Sequence, residues 1–199
     1  MIKQILKELK NHSPFTMLGA ASSIVIMLLF YGAPVKTSFD IFYTLHPIHV
    51  VLSAIATASM YKLHSPKTKI LNFILIGYFG SVGIATFSDS VIPYLGEVML
   101  NLPNKGIHLG FIEKWWLVNP LAFLGITIAY FRPKFRFPHF GHVLLSTWAS
   151  MFHILMALGG TISLFLIPIV FVFLFISVLI PCCLSDIVFP LIFVKREKI

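Results

Sequence analysis

Two histidine pairs with a spacing of three are the residues of this sequence best suited to metal or proton chemistry. The segments His46-Pro-Ile-His49 and His139-Phe-Gly-His142 lie 93 residues apart, and each continues as Val-x-Leu-Ser. A spacing of three places both imidazoles of a pair on one face of a helix. Imidazole nitrogens bind transition metals and also relay protons. Each pair therefore predicts part of a metal site or of a proton path.

An aspartate follows each histidine pair in a second shared pattern. The pattern S-D-x-V-x-P begins at Ser88 and again at Ser185, so that Asp89 and Asp186 lie 97 residues apart. Carboxylate oxygens complement imidazole as ligands for zinc, iron or manganese. The order of the two patterns is the same in both halves of the chain, which indicates an internal duplication.

A third and weaker match supports the duplication. An apolar stretch that begins with proline runs from Pro14 to Gly19 in the first half and from Pro120 to Gly125 in the second. In both stretches leucine precedes the glycine. Together the three matches predict one three-helix unit used twice, with residues 1–104 as the first repeat and 105–199 as the second.

The elements that carry these motifs are apolar enough to lie in lipid. Apolar residues make up 58% of the 199-residue chain, charged residues only 11%, and the mean hydropathy is +0.92. A helix crosses the hydrocarbon layer with roughly 20 apolar residues. Windows of about this length predict six transmembrane helices in an all-α integral membrane protein: Pro14–Ala33, Ile41–Tyr61, Ile70–Ser88, Trp115–Phe131, His139–Leu158 and Thr161–Val194.

The basic residues of the predicted loops indicate how the helices are oriented. Assigning successive loops to alternate sides places 12 of the 15 lysines and arginines on the side of both termini. By the positive-inside rule, this side is cytoplasmic. The net charge of +8 is then a topology signal with attraction to lipid headgroups. No soluble domain is predicted that would bind nucleic acid.

An odd number of helices in each repeat makes the two repeats enter the membrane from opposite sides. The halves are then related by a pseudo-two-fold axis in the membrane plane, as in many secondary transporters. This 3+3 inverted-topology repeat predicts two clusters of ligands, one near each face. The outer cluster contains His46, His49, Asp89 and His153. The inner cluster contains His139, His142, Asp186, Cys182, Cys183 and His64.

Ionisable side chains are costly within a membrane and are functional candidates for that reason. The duplicated clusters favour a polytopic transporter or permease for a divalent transition metal ion (zinc, iron or manganese) or for protons. This hypothesis describes a multi-pass, non-enzymatic protein whose partners are the bilayer and a small ion. It is compatible with an oligomer or a partner subunit.

A second hypothesis is electron transfer by a two-haem membrane protein of the b type. His49 and His64 are fifteen residues apart in one predicted helix, and His139 and His153 are fourteen apart in another. Such spacing can stack two bis-histidine haem b groups across a bilayer. The aspartate motifs have no role in this hypothesis.

A third hypothesis is an intramembrane metal-dependent hydrolase. In it, Asp89 or Asp186 would act as general base beside a metal-bound water. The sequence contains neither the H-E-x-x-H nor the G-x-S-x-G motif of known hydrolase classes.

Overall fold

The computed structural model describes residues 2–133, 136–159, 163, 165–183 and 188–194, and among these the side chains of all except 2–9, 11, 12, 136–138 and 183. All regular elements of this described part are helical. They are α1 (Ile2–Leu29), α2 (Val35–His64), α3 (Ile70–Met99), α4 (Gly110–Glu113), α5 (Trp115–Phe131), α6 (Arg136–Leu158), α7 (Leu166–Cys183) and α8 (Phe189–Ile192).

Three of these helices are long and apolar enough to cross a membrane. They are α2, α3 and the part of α6 from His139 to Leu158. Three shorter apolar helices accompany them, at Ser13–Leu29, Trp115–Phe131 and Leu166–Cys182. The all-helical fold is therefore confirmed, together with three helices that are long and apolar enough to span a membrane. The number of spans, their orientation and the inverted repeat stay predictions.

Two helices extend further than the sequence windows predicted. Helix α2 begins at Val35, six residues before the predicted Ile41, and α3 continues to Met99, eleven residues beyond the predicted Ser88. These extensions place the polar residues of both helices further from the helix ends. The overlong sixth window is divided into α7 and the short α8.

Helix α2 lies at the centre of the bundle, packed along both α5 and α6, while α1 packs on α6 and α7. Glycine permits the close approach of α5 to α2. A Cβ atom at Gly125 would lie 2.6 Å from the Val51 carbonyl oxygen and 2.8 Å from the Ala54 Cβ. Gly19 likewise permits the close approach of α1 to α6, because a Cβ there would collide with the Thr147 hydroxyl. Small residues of this kind let membrane helices approach closely.

Helix α3 contains two wide turns with π-helical hydrogen bonding, Phe79–Gly83 and Phe87–Val91. The second turn holds Asp89, and Pro93 follows it. Because proline has no N–H, Pro93 cannot donate to the carbonyl four residues earlier, and the regular helical ladder is interrupted there. Turns of this kind occur frequently at functional sites. Here the turn presents Asp89 to α2 and α6.

Candidate metal centre

Asp89 is a buried hydrogen-bond acceptor at the centre of the bundle. Its Oδ2 atom lies 2.9 Å from His46 Nδ1 and 2.6 Å from His49 Nδ1, and all three side chains are at most 1% exposed. Its Oδ1 atom accepts hydrogen bonds from Ser88 Oγ at 2.8 Å and Ser146 Oγ at 2.7 Å. An ionised carboxylate only accepts, so each imidazole donates its Nδ1–H and presents the lone pair of Nε2 elsewhere.

The two histidine pairs meet across the interface of α2 and α6. His49 Nε2 lies 3.3 Å from His142 Nδ1, and the two rings are stacked with centroids 5.4 Å apart. His142 Nε2 in turn lies 3.2 Å from His139 Nδ1. A continuous chain of polar atoms therefore runs from Asp89 through His49 and His142 to His139.

Two sets of ligand atoms are close enough to hold a metal ion. The aspartate group consists of His46, His49 and Asp89, and the thiol group consists of His49, His142 and Cys182. In each group, the ligand atoms lie within 4.8 Å of one another and all three residues are buried. Ligands of a tetrahedral zinc ion are separated by roughly 3.3 to 3.8 Å. Small side-chain adjustments would suffice to bring either group around one ion.

His49 belongs to both ligand groups, since it faces Asp89 with Nδ1 and the thiol group with Nε2. His49 lies in the middle of α2, fourteen residues after Val35 and fifteen before His64. A metal-binding histidine commonly donates its other N–H to a carboxylate, which fixes the orientation of the ring. Asp89 holds His49 in this way for the thiol group.

The predicted outer cluster is only partly brought together. His46, His49 and Asp89 meet, whereas His153 is hydrogen bonded through Nδ1 to Glu97 Oε1 at 2.6 Å. Phe42 contacts both parts: its ring stacks on His46 and meets His153 edge to face, with both centroid distances 5.4 Å.

The predicted inner cluster is also divided. His142 and Cys182 lie together with His49, and His139 adjoins His142. His64 does not join them, because it is exposed at the end of α2 and donates its Nδ1–H to the Met60 carbonyl oxygen at 2.9 Å. The side chain of Cys183 and the whole of Asp186 lie outside the described residues.

Sequence reasoning missed the functional potential of Glu97 and Gly110. Glu97 is 1% exposed, and its Oε2 accepts a hydrogen bond from the Gly106 backbone N–H at 3.1 Å. Glu97 shares a helix with Asp89 because α3 continues to Met99, eleven residues beyond the predicted end at Ser88. Gly110 lies against His46, where a Cβ would approach the imidazole Nε2 to 2.6 Å. No sequence pattern marks that contact.

No protein-family model matches the sequence, and no curated protein or solved structure is significantly similar to it. The chemistry of the buried cluster is therefore the basis on which a function is assigned.

Proposed function

We propose that this protein is a multi-pass membrane transporter that carries a divalent transition metal ion through the bundle by way of His49. The observation that carries the proposal is the position of His49 in two buried ligand groups, in the middle of an apolar helix. Imidazole, carboxylate and thiolate are ligands for zinc and iron, and the carboxylate also suits manganese.

Charge balance favours a divalent ion in the thiol group. Asp89 supplies one negative charge beside His49, and a metal-bound Cys182 supplies a second as thiolate. Two negative charges balance one divalent cation in a region where an uncompensated charge is costly. The neutral imidazoles of His49 and His142 provide ligands without adding charge.

The shared imidazole suggests how an ion would pass between the groups. An ion in the aspartate group would be bound by Nδ1 of His49 and by the carboxylate of Asp89. An ion in the thiol group takes the Nε2 side, and His49 then donates its Nδ1–H to Asp89 again. Each group has three protein ligands and leaves a fourth tetrahedral position open, as in sites that exchange a ligand. Such sites suit transfer better than permanent binding.

Contacts between equivalent residues support the inverted repeat. His49 and His142, which the shared motif aligns, contact each other. Gly125 packs against Ala54. The equivalent glycine and its partner in the other repeat, Gly19 and Thr147, also pack together. A two-fold relation between the halves would produce such matched pairs, and it would place the binding site at the repeat interface. Both termini are then cytoplasmic, as the loop charges indicate.

Proton transfer is the second candidate, and it rests on a different observation. The links from Asp89 to His49, His142 and His139 form an unbroken chain of groups that can donate and accept protons. Chains of acidic and histidine side chains are used as proton relays in pumps and transporters.

The described geometry does not favour haem between His49 and His153. His49 is bonded to Asp89 and stacked on His142, whereas His153 is bonded to Glu97, and neither ring faces the other across open space. The haem and hydrolase hypotheses stay predictions from the sequence.

Transport is tested with purified protein in liposomes that contain a metal-sensitive dye. We expect zinc, iron(II) or manganese to enter wild-type vesicles faster than empty ones, and His49→Ala to reduce the rate at least tenfold. His64→Ala is the matched control, because His64 is exposed and donates its hydrogen bond to Met60 of its own helix. Equal rates for wild-type and His49→Ala vesicles would rule out passage through this site.

A further inference from the structure

A second buried ionisable pair lies next to the aspartate group. Glu97 and His153 are at most 1% exposed and are joined by a 2.6 Å contact between Oε1 and Nδ1. Glu97 Oε2 also accepts the Gly106 N–H, while His153 Nε2 has no hydrogen-bond partner among the described residues. The proposed metal ligands do not include this pair. Ionisable residues buried in a membrane protein are functional candidates by default.

The pair lies between the aspartate group and a polar surface. Towards the bundle centre, Phe42 contacts both His153 and His46. Towards the surface, the ring of His108 lies 5.3 Å from that of His153, and His108 Nδ1 lies 3.4 Å from Glu113 Oε2. Both His108 and Glu113 are partly exposed. His108 and Glu113 therefore provide polar groups between His153 and the surface of the protein.

Charge balance connects the pair to the metal. Asp89 is the single carboxylate of the aspartate group, so a divalent ion bound there leaves one positive charge uncompensated. Glu97 is the other buried carboxylate in the described part of the chain. With one proton between them, Glu97 and His153 are neutral overall. Loss of that proton leaves one negative charge, which offsets the excess charge of the ion.

We propose that Glu97 and His153 form a proton-binding site that releases its proton when a divalent metal ion occupies the aspartate group. Ion uptake is thereby coupled to proton movement towards the surface near His108 and Glu113. This inference rests on the proposed metal site and extends it, because Glu97 and His153 act without touching the metal.

Few other ionisable side chains lie near this pair among the described residues. Helix α7 presents no charged side chain among its described residues. The loop between α3 and α4 contributes Lys105, which donates to Asn101. The remaining groups are Tyr43 and His46 from α2, His108 from the loop and Glu113 from α4, where Tyr43 is hydrogen bonded to Glu113 at 2.5 Å.

The test is the number of protons released for each zinc ion bound, measured by calorimetry in buffers of different ionisation enthalpy. Cys182→Ala serves as the background, because it confines zinc to the aspartate group. In this background, we expect Glu97→Gln to release about one proton fewer per ion, because an amide holds no titrating proton. The amide oxygen can still accept the Gly106 N–H, and the amide N–H₂ can donate to Nδ1 of a neutral His153. Glu97→Asp should restore the release.

Asp40→Asn is the matched control, because Asp40 is an exposed carboxylate paired with Lys36. If Glu97→Gln does not fold, the double variant Glu97→Gln/His153→Gln, with two amides that bond to each other, should show the same loss. Unchanged proton release in the folded variant, with zinc still bound, would overturn the coupling while leaving the metal site intact. Failure of the parent protein to bind zinc would overturn both.

Discussion

Replacing His49 with alanine is expected to weaken zinc binding more than any other single histidine substitution, by more than about 100-fold. The reason is that His49 is the one residue present in both ligand groups. His46→Ala removes a ligand from the aspartate group alone, and Cys182→Ala removes one from the thiol group alone. Each of these variants should keep a measurable zinc site. Calorimetric titration of the purified proteins gives the affinities and stoichiometries.

His46→Ala is also the matched control for stability. His46 and His49 both donate to Asp89 Oδ2, so either substitution removes one hydrogen bond from the same carboxylate. The loss of that bond should lower the free energy of unfolding by about 1.5 to 3 kcal/mol in each case, and His49→Ala also loses the contact with His142. A loss of zinc affinity in His49→Ala that exceeds the loss in His46→Ala by more than their difference in stability would show that His49 acts on the metal itself. Equal affinities in the two variants would contradict a shared ligand.

Substitution of Asp89 should separate the charge of the side chain from its hydrogen bonds. In Asp89→Asn, the amide oxygen can still accept both imidazole N–H groups, and the amide N–H₂ can donate to the hydroxyls of Ser88 and Ser146. We therefore expect little change in stability but a loss of zinc affinity of roughly 10- to 100-fold, because the compensating charge is gone. Denaturation and calorimetry on the same sample measure both quantities.

Asp89→Ala provides the comparison, since it removes the acceptor of the His46 and His49 Nδ1–H groups. Ser88 and Ser146 then keep only their longer bonds, at 3.2 Å, to the Ala85 carbonyl oxygen and to Ser88 Oγ. An unsatisfied buried group costs about 1 to 3 kcal/mol, so this variant should be destabilised by about 3 kcal/mol or more. Wild-type zinc affinity in Asp89→Asn would show that the carboxylate charge does not serve a cation. If Asp89→Asn and Asp89→Ala were equally destabilised, the charge of Asp89 would be needed for the stability of the fold instead.

The sequence predicted which polar residues lie in the buried cluster better than how they are arranged in it. Hydropathy and spacing were enough to select His46, His49, Asp89, His142 and Cys182, because each lies in a repeated motif or beside one. The sequence placed these residues in two separate clusters, because the predicted helix ends lay closer to the motifs than the helix ends of the structure do. Hydropathy windows locate a span but not its termini, and α2 begins six residues earlier than its window.

The parts of the site that the sequence did not predict depend on backbone geometry that no local pattern specifies. The wide turn at Phe87–Val91 rotates Asp89 towards α6, where Ser146 donates to it. The burial of Glu97 follows from the continuation of α3 to Met99, which the window ending at Ser88 excluded. Polar residues at predicted helix ends are usually solvated, so Glu97 gave no clear signal of its partner His153.

The internal repeat stays a prediction from sequence similarity, and its weakest sequence match falls at two positions of close helix packing. The Gly19 and Gly125 match was weak as a sequence pattern. Both glycines nevertheless lie where two helices approach closely, Gly19 of α1 against Thr147 of α6 and Gly125 of α5 against Ala54 of α2. Close packing at a small residue explains why glycine is needed at both positions.

The most direct test of the proposed site is X-ray absorption spectroscopy of the zinc-loaded protein. We predict a mixed shell with zinc–nitrogen distances near 2.0 to 2.1 Å and one zinc–sulfur distance near 2.3 Å, because the thiol group combines His49, His142 and Cys182. The sulfur contribution should vanish in Cys182→Ala, while nitrogen ligands remain. A zinc shell made only of oxygen, or one that Cys182→Ala and His49→Ala leave unchanged, would contradict a metal site at the centre of this bundle.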